Sequence, residues 1–311
     1  MIVRERPSFV RLFFILRGSI IQRIFPQVAL VMALTGAIVW AHAVKPGLVP
    51  AFDGAPFALI GIALSIFLGF RNNACYDRWW EARKHWGHLV SVSRDLARRS
   101  LLIEVRRPSG QAARARLLRL AIGFAHALVE HVRPSTATTA QGGTALAYLP
   151  EPERAGFGTS RNPPDFILRL IGRELAALRA DDTLSDIEFG LFDAGLDQMA
   201  GVLAACERLR TTPIPFGYTL LLHRTAYLFC FLLPLGFADV LGWGTPVMTG
   251  LVAYTFFGLD ALGDELEEPF GTLPNDLPIH AIATTIEINL REALGETGLP
   301  ALPQPVDHVL L

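Results

Sequence analysis

Four long stretches of the sequence contain no Asp, Glu, Lys or Arg, and they come as two close pairs: residues 28–44 with 54–70, then 225–238 with 240–259. The third stretch is extended backwards by residues 216–222, from which only His223 and Arg224 separate it. A helix needs about 20 apolar residues to cross the hydrocarbon core of a bilayer, within a working range of roughly 17–25. One such run fits a buried helix in a soluble core, whereas four in two pairs fit two membrane-crossing hairpins. The composition agrees, with 51% hydrophobic and only 18% charged residues, against roughly 25% charged in ordinary soluble domains. A net charge of −1 gives no electrostatic basis for binding nucleic acid. The expected fold class is therefore an all-α membrane protein with four transmembrane helices and a cytosolic helical bundle.

The polar punctuation orders these elements. Lys45 to Asp53, with Pro46, Gly47 and Pro50, joins the first pair, and Asp239 with Gly242, Trp243 and Gly244 lies at the join of the second. Trp40 and Trp243 sit near those ends, as interfacial tryptophans do. Basic residues gather on the other side: Arg4, Arg6, Arg11, Arg17 and Arg23 precede the first run, and residues 71–133 carry 13 basic against five acidic residues. The positive-inside tendency then puts both termini and the long middle region in the cytoplasm, and the expected location is the inner cell membrane. No signal-peptide pattern precedes the first long run. The expected organisation is an N-terminal cytosolic helix with a first hairpin over 1–70 (spans at about 24–44 and 54–70). A cytosolic helical region over 71–215, a second hairpin over 216–263 and an acidic cytosolic segment over 264–311 follow.

The middle region reads as helical. Trp79, Ala82, Trp86, Leu89, Ser93 and Leu96 recur at three-to-four spacing, and Leu117, Leu120, Phe124 and Leu128 repeat the pattern. Residues 134–164, rich in Pro and Gly, are expected to form a flexible loop. Asp165 is the expected cap of a helix running to about Arg179, and Ser185 with Glu188 forms a capping-box signature ahead of Phe192, Leu196, Met199 and Leu203.

The second apolar run carries the most chemistry. Gly61, Ser65 and Gly69 form a small-residue stripe of the kind that lets membrane helices approach closely. Beside it, Ile62, Ile66 and Phe70 form a bulky stripe, which suits either a lipid or core contact or, repeated around an axis, a hydrophobic pore constriction. Arg71, at the exit of that run, can snorkel to the interface. The intramembrane pair His223 and Arg224 needs a carboxylate, and Asp260 or Asp264 are the expected partners, in a structural clamp or an ion path. The acids of Asp264 to Glu268 can bind calcium or meet the arginine-rich helices. His85 and His88 lack a third ligand, and Cys75, Cys206 and Cys230 have no pairing or metal spacing. No nucleophile, acid–base pair, metal site or cofactor motif emerges, so the expectation is a protein that is not an enzyme and needs no cofactor.

Several segments together resemble the bestrophins, specifically their bacterial homologues: Arg71 to Arg83 (Arg-Asn-Asn-x-x-Tyr-Asp-Arg-Trp-Trp), Thr212 to Phe216, His223-Arg224 and Glu265 to Pro278. The resemblance runs from about Arg11 to Leu294. It implies a homopentamer with one central pore whose neck is lined by Ile62, Ile66 and Phe70. It also implies a second, cytosolic constriction, best matched by Ile187, with Leu184 the alternative. The implied function is a passive channel for monovalent ions, either chloride or sodium and potassium, with the bilayer and further copies of the chain as partners. A secondary transporter of a small ion is the other reading. Phe270-Gly271 is followed by a single acid, Asp276, in the next five residues, which departs from the dense acidic run of calcium-gated members and argues against calcium activation.

Overall fold

A computed structural model describes residues 1–4, 8–10, 14–16, 18–45, 47, 50, 52–133 and 143–311. Among the described residues, eleven α-helices carry the fold: α1 (Ile21–Val44), α2 (Ala55–Arg99), α3 (Leu101–Arg106), α4 (Gly110–Val132), α5 (Glu151–Thr159), α6 (Pro163–Ala180), α7 (Asp186–Thr211), α8 (Phe216–Leu232), α9 (Pro234–Leu241), α10 (Thr245–Glu267) and α11 (Ile279–Ala293). Among the described residues, β geometry is confined to the isolated bridges Ile2–Val309 and Val306–Val309. The all-helical expectation holds. The chain forms two compact units, one of Arg4–Trp79 with Pro213–Glu268, the other of Met1–Val3, Trp80–Thr212 and Pro269–Leu311. The boundaries at 79 and 268 lie beyond 70 and 263 because α2 and α10 continue without a break past the last apolar residue.

The first unit contains α1, the N-terminal part of α2, and α8 to α10. Its core is assembled from Val28, Val31, Leu64, Leu68, Ala226, Phe229, Ala253 and Phe257. Its outer surface is apolar as well: Leu30, Leu34, Leu59, Leu228 and Leu251 are exposed. A soluble domain cannot carry that much contiguous exposed apolar surface, and a bilayer is the solvent that suits it. α10 packs most extensively on α1, and the close approach depends on Gly250, where a Cβ would lie 2.7 Å from Met32 Cγ and Sδ. Thr35 and Thr249 share a buried hydrogen bond of 3.1 Å between the same two helices.

Among the described residues, three helical stretches are long and apolar enough to cross a membrane: Ile21–Val44, Ala55–Arg106 and Phe216–Glu267. The third holds both of the last two apolar runs, so the expected fourth crossing does not stand apart. The reason is local: Pro234, in the first turn of α9, ends α8 but starts a new helix, and a short 3-10 turn at Gly242–Gly244 leads directly into α10. Gly242 has φ +49 and closes α9 in a conformation that suits glycine.

The second unit is built around α4, which is buried on nearly all sides and packs against α3, α6, α7 and α11. Gly110 begins α4 where a Cβ would lie 2.0 Å from the Ile103 carbonyl oxygen, so no other residue fits without moving the backbone. The Ser185 capping box forms as expected, with Glu188 N donating to Ser185 Oγ (3.3 Å) and Ser185 N to Glu188 Oε2 (2.9 Å).

Two expectations need correction here. The cap of α6 is Asn162, whose Oδ1 accepts from Asp165 N at 3.2 Å; Asp165 lies in the first turn instead. The stretch 134–164 is not all loop: residues 134–142 lie outside the described residues, a 3-10 turn spans Ala145–Tyr148, and Glu151–Thr159 is helical. Pro150 and Pro152 read as breakers in sequence, yet Pro150 is the N-cap of α5 and Pro152 sits in its first turn, where no backbone N–H is required. The two chain ends meet in this unit: Leu310 N donates to Met1 O at 2.9 Å, and the Met1 amino group donates to Leu310 O.

Candidate functional site

Successive residues on a helix are offset by about 100°, which sorts the membrane part of α2 into faces. Leu64, Leu68, Arg71 and Cys75 fall on one face and are all at most 3% exposed. Ile62, Ile66 and Phe70 fall on the opposite face, and are 60%, 51% and 60% exposed. The bulky stripe therefore points away from the packed core of its own unit. The small stripe lies between the two, and its members differ. Gly61 sits under Phe229 of α8, where a Cβ would lie 3.2 Å from Cζ, whereas Gly69 has open space around it. Ser65 Oγ donates to the Gly61 carbonyl at 2.7 Å. Of these three, Gly61 is the one that serves close helix packing within the chain. An open apolar groove between this part of α2 and α8 to α10 is lined by Phe57, Ile62, Phe229, Phe237, Met248 and Phe256.

Arg71 does not snorkel. Its side chain is fully buried, with Nη1 at 2.8 Å from Asp260 Oδ1, and Nη2 at 2.6 Å from Asp264 Oδ1 and 3.5 Å from Glu267 Oε2. Nη1 also donates to the Asp260 carbonyl at 3.3 Å. The guanidinium fits because Gly263 leaves room: a Cβ there would lie 3.1 Å from Nη1 and 3.3 Å from Cζ. A charge at this depth is tolerated only when paired and hydrogen-bonded, and the three carboxylates supply that pairing.

The expected acid for His223 and Arg224 is present, but it serves only one of them. His223 Nδ1 lies 2.6 Å from Asp260 Oδ2, and its ring packs on Tyr227 at 4.4 Å between centroids. Asp264 is taken by Arg71 and by Arg23, whose Nη2 lies 3.2 Å from Oδ2. Arg224 is exposed and has no ion pair among the described residues. Sequence spacing missed Arg71 as the main partner of these acids, because the two sides of the pair are 189 residues apart. One local signal was available: Arg71 continues the i, i+4, i+7 stripe of Leu64 and Leu68, the face that packs inward.

The acidic segment after α10's apolar part meets arginines: Asp264 with Arg71 and Arg23, Glu265 with Arg23 at 3.7 Å, and Glu267 with Arg71. Among the described residues no group of three or more His, Cys, Asp and Glu is arranged to hold a metal ion. His85 instead pairs with Glu81 at 3.6 Å. Burial pushes the Cys206 thiol up to about 12, so it is not a reactive thiolate.

In the second unit the two candidates for a constriction separate clearly. Leu184 is completely buried, whereas Ile187 is 80% exposed in the first turn of α7. Asp186, beside Ile187, lies 2.5 Å from Arg179 Nε, and that hydrogen bond holds its carboxyl below the usual carboxylate range. Leu184 is thus part of the packed interior of its unit, and Ile187 stands on the unit's surface.

Known proteins resemble the chain over nearly its whole length. A family model described as "Bacterial/Fungal Bestrophin protein" matches residues 1–292. The voltage-dependent anion channel-forming protein mll4386 of Mesorhizobium japonicum is 45% identical over 97% of this chain and 95% of that one. The voltage-dependent anion channel-forming protein YneE of Escherichia coli K12 is 41% identical over 100% of both. A crystal structure of a bacterial bestrophin homologue from Klebsiella pneumoniae aligns with a TM-score of 0.80 at 39% identity, covering 88% of this chain and 99% of that chain.

Proposed function

The chain belongs to the bacterial and fungal bestrophin family, and from that premise we propose that it forms an anion-conducting channel. Five copies surround one central pore in the inner membrane, with four crossings per chain and both termini in the cytoplasm. The observation that carries this reading is the position of Ile62, Ile66 and Phe70 on the face of α2 opposite its buried stripe. Repeated around an axis, that face gives stacked apolar rings, which control passage through wetting and ion dehydration rather than through fixed charge. Ile187, exposed at the start of α7, is the candidate for a second ring. The relatives named as voltage-dependent anion channel-forming proteins support chloride-like monovalent anions as the permeant species. Of the two residues that interrupt the third apolar run, His223 belongs to the clamp on Asp260, which leaves Arg224 as the one available to an ion path. No catalytic step is assigned to the protein.

The test is the reversal potential of the purified protein in a planar bilayer under a potassium chloride gradient. Current steps reversing near the chloride equilibrium potential are expected. Reversal near the potassium value overturns the anion assignment. Saturable uptake without current steps overturns the channel and favours a secondary transporter.

A further inference from the structure

We propose that Arg71 is a positioning residue for conduction: its ion pairs with Asp260 and Asp264 fix the rotation of α2 about its own axis and so keep its chain neighbour Phe70 turned toward the ion path. This rests on the reading of Ile62, Ile66 and Phe70 as the neck.

The argument begins with what apolar contacts cannot do in a bilayer. Leu64 and Leu68 pack on the core, but lipid tails are as apolar as leucine, so no hydrophobic driving force selects that face over another. Turning α2 by a single residue, about 100°, costs none of its internal hydrogen bonds. A direction-specific contact is needed, and charge-assisted hydrogen bonds supply it. Arg71 is the fully buried guanidinium on α2, and it makes two such contacts one turn apart on α10, to Asp260 at 2.8 Å and to Asp264 at 2.6 Å. Its Nε has no partner, so the whole grip is through the two Nη groups.

The acceptors are themselves fixed. Asp260 offers Oδ1 to Arg71 and Oδ2 to His223 of α8 at 2.6 Å. Asp264 offers Oδ1 to Arg71 and Oδ2 to Arg23 of α1 at 3.2 Å. Thus α1, α2 and α8 each send one nitrogen-bearing side chain to two carboxylates on α10, and the seat for the central one is the missing side chain of Gly263. Phe70 and Arg71 are joined by one rigid peptide unit of α2, so a rotation of the helix at Arg71 turns Phe70 with it.

The experiment compares unitary conductance and anion preference of four variants in planar bilayers, each first shown by native mass to assemble as the wild type does. Ile66→Ala reports on the neck itself. Arg71→Lys keeps the charge but replaces the two Nη groups by one ammonium, so its conductance is expected to fall between wild type and Arg71→Met. Arg71→Met, where it assembles, is expected to change conductance by more than about twofold. Gly263→Ala, which crowds the guanidinium without removing a charge, is expected to change it in the same direction, and it decides the matter if Arg71→Met does not assemble. Wild-type conductance in the deciding variant, with Ile66→Ala altered, overturns the positioning role and leaves the neck intact. Wild-type conductance in Ile66→Ala shows instead that the neck reading has failed, and the positioning role falls with it.

Discussion

Arg71 and Asp260 meet at 2.8 Å with side chains 0% and 6% exposed, although 189 residues separate them in the chain. The pair ties α2 to α10, and through the second oxygen of Asp260 it ties both to His223 on α8. In water such a pair is weak evidence for stability. In hydrocarbon the choice is narrower: three helices that otherwise present leucine and phenylalanine to one another are held in one arrangement by three side chains.

Removing one partner should therefore be costly. Asp260→Asn leaves Arg71 with less negative charge and weakens the acceptor that faces His223. A loss of about 3–5 kcal/mol is expected for breaking a buried pair in this way. The midpoint of thermal aggregation in detergent should fall well below wild type, and an unchanged midpoint would show that Asp264 and Glu267 alone suffice for Arg71.

Widening the apolar ring should ease ion passage. Ile66→Ala removes three carbons from a side chain that makes no part of the buried core, so folding should be spared. Unitary current is expected to rise, because an apolar constriction limits flow by keeping water out. The neck assignment of Ile66 is falsified if a well-assembled variant carries wild-type current.

A pH effect should appear in the second unit. Burial pushes the Glu287 carboxyl up, but hydrogen bonds from Tyr148, His126 and Arg291 outweigh it and hold the group below its ordinary 4.5. The contacts to His126 and Arg291 are 2.9 and 3.1 Å. A carboxyl depressed on folding stabilises the fold above its unfolded value, and that contribution is lost as the pH falls through the folded one. Stability should thus be constant in this respect from neutral pH down to about 4.5 and decline below it. Glu287→Gln should start lower and show a flatter acid limb in unfolding measured against pH.

The start of α7 is the last target. Ser185→Ala removes the hydroxyl that accepts from Glu188 N and should cost about 1 kcal/mol, as loss of an N-cap does. The same first turn carries Ile187. If Ile187 forms a ring in the ion path, Ile187→Ala should alter current without altering stability, whereas Ser185→Ala should do the reverse. Thermal unfolding and bilayer recording on both variants separate the two effects.

Much of the fold is legible in the sequence alone. The apolar runs and the capping box at Ser185 were readable because each depends on residues within a turn or two of one another. The exposed stripe of Ile62, Ile66 and Phe70 was also visible as spacing, and the fold then showed which side of α2 is packed. What spacing could not supply was long-range pairing. His223 and Arg224 looked like the residues in need of an acid, yet Asp260 and Asp264 are claimed chiefly by Arg71, which lies on another helix. Pro150 and Pro152 misled for the opposite reason: a proline marks a break when read in isolation, but at a helix start its fixed φ is an advantage.

The second unit is made of three separated pieces of chain, Met1–Val3, Trp80–Thr212 and Pro269–Leu311, and its first residue is bonded to its last but one. Met1 and Leu310 are 309 positions apart, so all the apolar helices lie between two residues that bond each other. The last piece of this unit, from Pro269 on, follows the last apolar helix in the chain. Closing the unit is therefore a long-range step: a product stalled before Pro269 can insert its helices but cannot finish this unit.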